Sequence, residues 1–190
     1  MSPPAAPDRT FEEQAAALAR EHGFAVCRPL DPRLLRPEDR IRALCQEDKC
    51  GNWRKHHLCP PLLGDLQQAR AQLARFQRGV LLQWSRALDA RNDREGVERS
   101  KVAFHRKVLA VEAGLAARGF DGAWGLIGGS CGLCSPCTAV AGEPCPLPRQ
   151  ARPSIEALGV DLLALLERMG LDAAFHADRV TWTGCVLLPD

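Results

Sequence analysis

Seven of the nine cysteines in this 190-residue chain fall into two short windows. Thiols gathered this way are metal ligands or redox centres more often than halves of disulfides. The second window reads Gly128-Gly129-Ser130-Cys131-Gly132-Leu133-Cys134-Ser135-Pro136-Cys137, and after seven further residues comes Cys145-Pro146. Three cysteines separated by two residues each let one loop set three thiolates around one face of a cubane, and a more distant fourth closes the site. The C-x2-C-x2-C…C-P pattern is close to the bacterial ferredoxin run, with a longer last gap that lets Cys145 return to the same cluster. The reading is a 4Fe–4S cluster on Cys131, Cys134, Cys137 and Cys145. The alternative is a structural zinc on the same four, although zinc sites more often show two separated C-x2-C pairs.

The first window runs from Cys45 through Cys50 to Cys59-Pro60-Pro61, with His56 and His57 beside the third cysteine. Three thiolates can hold a second cluster or another metal, with the fourth ligand drawn from Cys27, Cys185, His56 or His57. An incomplete ligand set would leave one metal position open to substrate, with a histidine near for proton transfer. The competing view makes these cysteines small buried apolar residues in a polar loop. Cys27 and Cys185 stand in predicted strands between apolar neighbours, as structural thiols do. His105 and His176 receive no role, and Glu112 reads as a half-exposed helix carboxylate. Gly128-Gly129 lacks the Lys-Ser/Thr of a phosphate loop, so its glycines are expected to bring backbone close to the metal. No nucleophile elbow is present, and no catalytic residue is assigned.

The elements that position these windows follow from period and caps. Thr10 and Glu13 form a capping box before Phe11, Ala15 and Leu18 at helical spacing, and Gly23 ends that helix. Phe24–Cys27 reads as a strand, and a short helix starts at Pro37. Asp65 caps a helix with Leu66, Ala69, Leu73 and Phe76 on one face, closed by Gly79. Val80–Trp84 is a buried strand. A long helix spans Asp93–Arg118 with Val97, Phe104, Val108, Val111 and Leu115 inward and Gly119 as its C-cap. Ala123–Ile127 is a strand leading into the second window, Ser154 caps a helical stretch broken at Gly159, and Val160–Met169 is helical. Val180–Leu188 is the last strand. Alternating helices and strands predict a single-domain α/β sandwich over residues 10–190, with a small mixed sheet of about four strands and cysteine-rich loops. Residues 1–9 are Pro-rich and expected to be a disordered tail.

Composition limits the partners. Net charge is +2, and the arginines are scattered among acids instead of forming a stripe, so nucleic acid is not expected as a partner. No run reaches the roughly 18 apolar residues of a membrane helix, and the first residues lack the pattern of a signal peptide. A cytoplasmic location is expected, where thiols stay reduced.

From Cys45 onward the chain resembles an uncharacterised family of prokaryotic predicted metal-binding proteins, a domain of unknown function. The residues that carry the likeness are Cys59-Pro60-Pro61, the helix from Phe104 to Glu112, Cys131 to Cys137, Cys145, and Arg152-Pro153-Ser154-Ile155-Glu156-Ala157-Leu158-Gly159 through Asp161. The resemblance implies metal binding, with motifs like those of iron–sulfur proteins, and supplies no reaction. The chain departs from the family pattern in the first window, where four residues separate Cys45 from Cys50 in place of two. Arg152 is placed to donate hydrogen bonds toward an anionic cluster, with capping of the following helix as the other reading. The functional expectation is an electron-transfer module carrying one or two 4Fe–4S clusters and serving an unidentified redox partner protein. A metalloenzyme and a zinc-stabilised interaction module are the alternatives.

Overall fold

The computed structural model describes residues 10–189, so the expected tail at 1–9 lies outside the described residues. Helix α1 (Phe11–Glu21) starts on the expected capping box: Thr10 Oγ1 accepts the Glu13 N–H at 3.3 Å, and the Glu13 carboxylate accepts the Thr10 N–H at 2.9 Å. Strand β1 (Val26–Pro29) and helix α2 (Asp39–Gln46) follow. Helix α3 (Leu66–Leu73) begins on a second reciprocal box, Asp65 with Gln68. Then come β2 (Phe76–Ala87), the 23-residue α4 (Arg94–Ala116) capped by Asp93, and β3 (Trp124–Leu126). Helix α5 (Leu162–Arg168), capped by Asp161, precedes β4 (Arg179–Pro189). Single 3-10 turns lie at Thr138–Ala141 and Glu156–Leu158.

The four strands form one sheet in the order β1-β2-β4-β3. All three ladders are antiparallel, and parallel pairing is confined to an isolated bridge between Ile127 and Ser154. The fold is therefore the expected α/β arrangement with four strands, but the sheet is wholly antiparallel in place of the expected mixed one. Side chains alternate across it with the two-residue period of a strand. Val80, Leu82, Val186 and Leu188 pack under α1 and α4, against Phe11, Leu18, Phe104, Val108 and Leu115. Leu81, Leu126, Cys185 and Leu187 face the other way, onto Leu73, Ile155, Leu158, Leu165 and Leu166. Apolar cover on both faces explains why these strands read as near-continuous hydrophobic runs.

Two expectations change here. Phe76 opens β2 instead of closing the α3 face, and it stacks on Trp124 with ring centroids 5.4 Å apart. Gly79 does not end a helix. It lies inside β2, where a β-carbon would sit 2.8 Å from Leu187 Cδ2 and 3.1 Å from the Leu30 carbonyl oxygen, so close packing holds the position open. Among the described residues, no helix is long and apolar enough to cross a membrane.

Candidate metal centre

Both cysteine windows are long loops fastened at their bases. The second leaves the sheet after β3 and returns at Ser154. Ile127 N–H donates to the Pro153 carbonyl and Ile155 N–H to the Ile127 carbonyl, both at 3.1 Å. The first leaves the end of α2, which carries Cys45, and returns at the Asp65 cap of α3. Arg42, one helical turn before Cys45, closes its base with Nη1 donating to the Gly64 carbonyl at 2.7 Å.

The loops then pack on each other through the two histidines. His56 Nδ1 accepts the Leu58 N–H at 3.1 Å, so its Nε2 carries the proton and donates to the Cys131 carbonyl at 2.8 Å. His57 Nε2 donates to the Glu143 carbonyl at 2.9 Å, with Thr138 Oγ1 at 3.3 Å. Both nitrogens of the buried His56 are thereby used. It is a strut between the windows and has no lone pair left for a metal.

The structure brings Cys131, Cys134, Cys137 and Cys145 to the wall of one pocket, along with Leu133, Pro146, Leu147 and Ala151. Burial raises the Cys131 thiol, while the backbone N–H groups of Leu133 and Arg152 at its sulfur act in the opposite sense. Peptide N–H groups directed at sulfur are what a thiolate ligand requires once its charge is taken out of water. Among the described residues, no three His, Cys, Asp or Glu side chains converge tightly enough to hold a single ion. The donor set is soft and all-sulfur, which suits zinc, copper(I) or an iron–sulfur cluster by ligand type.

In the first window Cys45 is half-buried, Cys50 exposed and Cys59 buried. Burial first, and then the neighbouring thiols of Cys50, Cys45, Cys137 and Cys131, push Cys59 up to about 12. Cys59 thus feels thiols of both windows, Cys45 and Cys50 of its own and Cys131 and Cys137 of the second. Cys27 and Cys185 stand apart in β1 and β4, against opposite core clusters, and burial raises both, Cys27 to about 11. Neither lines the pocket.

Several neighbours differ from expectation. The Arg152 side chain points away from the thiols. It forms a bidentate ion pair with Glu112, its Nε donating at 2.8 Å, and Nη1 donates to the Arg149 and Ala151 carbonyls at 2.9 Å. Glu112 is thus a buried partner, not a half-exposed helix carboxylate. Gly128 approaches β4 instead of a metal: a β-carbon there would meet the Thr183 carbonyl oxygen at 2.6 Å. Lys101 escaped notice in the sequence. It is 9% exposed and reaches under the loop, with Nζ donating to Ser130 Oγ at 3.3 Å and pairing with Glu98 at 2.6 Å. Arg42 is another such residue, although its i, i+3 spacing from Cys45 on a predicted helix marks it.

Residues 28–188 match the family described as predicted metal-binding protein (DUF2284). No curated protein and no solved structure matches the chain.

Proposed function

The chain belongs to the DUF2284 family of predicted metal-binding proteins, and from that premise we propose that it is a cytoplasmic iron–sulfur electron carrier. In this reading Cys131, Cys134, Cys137 and Cys145 hold a 4Fe–4S cluster, and Cys45, Cys50 and Cys59 contribute to a second centre. The observation that carries the reading is the pocket those four cysteines share, whose other walls are mainly apolar. A cubane supplies one-electron exchange when bound. The chain supplies thiolates and a scaffold in which each loop is tied at its base. Lys101 brings a buried cation beneath the loop that would carry the anionic centre. A partner protein is the expected source or recipient of the electron.

The exposed thiol of Cys50 favours a second reading, in which the first centre keeps a position open to a small molecule. Anaerobic purification with iron, sulfide and zinc analysis tests the main proposal. Cys134→Ser should lower iron and sulfide by about four atoms each per chain. Stoichiometric zinc without sulfide, or unchanged iron in the variant, would overturn it.

A further inference from the structure

Gly129 and Gly132 stand on either side of Ser130-Cys131, and both are pressed by one side chain of α4. A β-carbon on Gly129 would lie 3.2 Å from Lys101 Cδ. One on Gly132 would lie 3.3 Å from Lys101 Cε, 4.0 Å from its Nζ and 3.0 Å from Val102 Cγ2. Bare backbone at these positions therefore lets the lysine stem pass directly beneath the turn that carries Cys131. The stem ends with Nζ donating to Ser130 Oγ at 3.3 Å. The ammonium thus touches the residue before Cys131 and lies against the residue after it.

Little else in the protein answers that charge. Glu98, one turn earlier on α4, is its carboxylate partner at 2.6 Å. The Glu98 side chain is 64% exposed and the Lys101 side chain 11%, so water screens the outer charge and not the inner one. Lysine ordinarily carries its ammonium out to solvent, and an inward ammonium needs compensation that an exposed partner only partly gives. The loop above it brings four cysteines to the wall of one pocket. Four thiolates around either zinc or an iron–sulfur cluster make a net negative centre, which is the compensation a buried cation requires.

We propose that Lys101 is the positioning and charge-compensating residue of the four-cysteine centre. Its stem supports the Cys131 turn, and its ammonium favours the more negative state of the centre above. The inference rests on the reading that the second window binds metal, and it adds the residue that tunes that metal. An electron added to a cluster adds negative charge, so loss of the Lys101 charge lowers the reduction potential. With zinc, the same loss weakens affinity. Glu98 acts with the opposite sign, because its carboxylate takes up part of the ammonium's field.

The test uses the full chain, reduced and loaded anaerobically with iron and sulfide in one preparation and with zinc in another. Lys101→Met keeps an apolar stem without the charge, Lys101→Arg keeps the charge, and Glu98→Gln removes the opposing carboxylate. In a mediated redox titration followed by electron paramagnetic resonance, Lys101→Met should shift the one-electron equilibrium about tenfold toward the oxidised state, or about 59 mV to lower potential. Lys101→Arg should stay near the wild type, and Glu98→Gln should move the potential upward by a smaller amount. If the chain holds zinc instead, competition with a chelator should give the same order: about tenfold weaker binding for Lys101→Met and tighter binding for Glu98→Gln. Metal bound with unchanged potential or affinity in Lys101→Met would overturn the role of Lys101 and leave the metal site standing. Shifts of one sign in Lys101→Met and Glu98→Gln would reduce the lysine to packing and overturn it too. Should Lys101→Met fail to hold metal, Glu98→Gln decides alone, and an unmoved value there refutes the charge effect. A wild type that takes up neither metal removes the reading itself, and the inference falls with it.

Discussion

The ion pair between Glu112 and Arg152 offers the sharpest energetic test of how the second window is held. The side chains are 14% and 11% exposed, so solvent screens the pair little. Glu112 accepts from the Arg152 guanidinium with both oxygens and from the Gly125 N–H at 2.7 Å, which joins α4 to β3 and to the segment after Cys145. Truncating one partner strands the other charge. Glu112→Ala should therefore cost about 3–5 kcal/mol, a large share of the 5–15 kcal/mol that holds a typical domain. Glu112→Gln keeps an acceptor for Gly125 and should cost about 1 kcal/mol less than the alanine variant. Replacing both partners, Glu112→Leu with Arg152→Met, removes the stranded charge and should recover at least about 2 kcal/mol relative to the sum of the single changes.

Urea unfolding of the reduced, metal-free protein reads the fold without the contribution of bound metal, and the shift in midpoint at constant slope gives each value. Metal content of the loaded variants reads the site, because the Glu112–Arg152 pair anchors the segment by which the four-cysteine loop returns to the sheet. A Glu112→Ala cost below about 1 kcal/mol, or a double variant whose cost equals the sum, would refute the view that this pair is a buried, coupled unit.

Other consequences are open to direct measurement. Removing metal by strict chelation should open both windows to protease while α4 survives longer, since thiols and polar backbone there would lose their partners; an unchanged digestion pattern after complete removal counts against metal-dependent loop structure. Burial drives His105 down to about 4, against the opposing bond from Nε2 to the Gln150 carbonyl, and its Nδ1 has no partner. The unfolded chain takes up this proton near pH 6.5, the native state only near pH 4. Stability is thus complete above pH 6.5 and falls by about 1.4 kcal/mol per pH unit down to pH 4, about 3 kcal/mol in all. His105→Gln should flatten that slope in urea titrations at several pH values, and an unaltered slope would assign it to other groups.

How much was legible in the chain follows the range of the interaction concerned. The Thr10–Glu13 box, the Asp65, Asp93 and Asp161 caps, and the two-residue alternation of β2 and β4 depend on neighbours a few positions away, and the sequence displays them. The spacing of Phe76 continues the α3 stripe and so predicts a helical position. The structure overrides that spacing by pairing Phe76 with Pro189 and stacking it on Trp124, contacts from distant segments. The four cysteines of the second window could be grouped by spacing alone because a single loop carries them. Arg152 could not be placed the same way. It lies 40 residues from Glu112, and a lone arginine after a cysteine loop points equally well to an anionic cluster or to an acid on a distant helix. The contact between α2 and the Glu156–Leu158 turn shows the same limit, since it joins segments more than a hundred residues apart.

The coupling between the windows sets an order on how the site is built. His56 makes its bond to the carbonyl of Cys131 itself, and His57 bonds to Glu143 two residues before Cys145. The first window therefore braces both ends of the second, whereas the second can place its four thiols with residues from its own loop. Damage should travel unequally for that reason. Loss of the second centre would free the carbonyls that the histidines grip, and so release the first window as well. Loss of metal from Cys45, Cys50 and Cys59 would leave the four-cysteine loop with the Ile127–Ser154 bridge, the Glu112–Arg152 pair and Lys101 still in place. In the proposed reading the second window would therefore be the structural anchor of the pair, and the first the place where exchange with the surroundings leaves the fold intact.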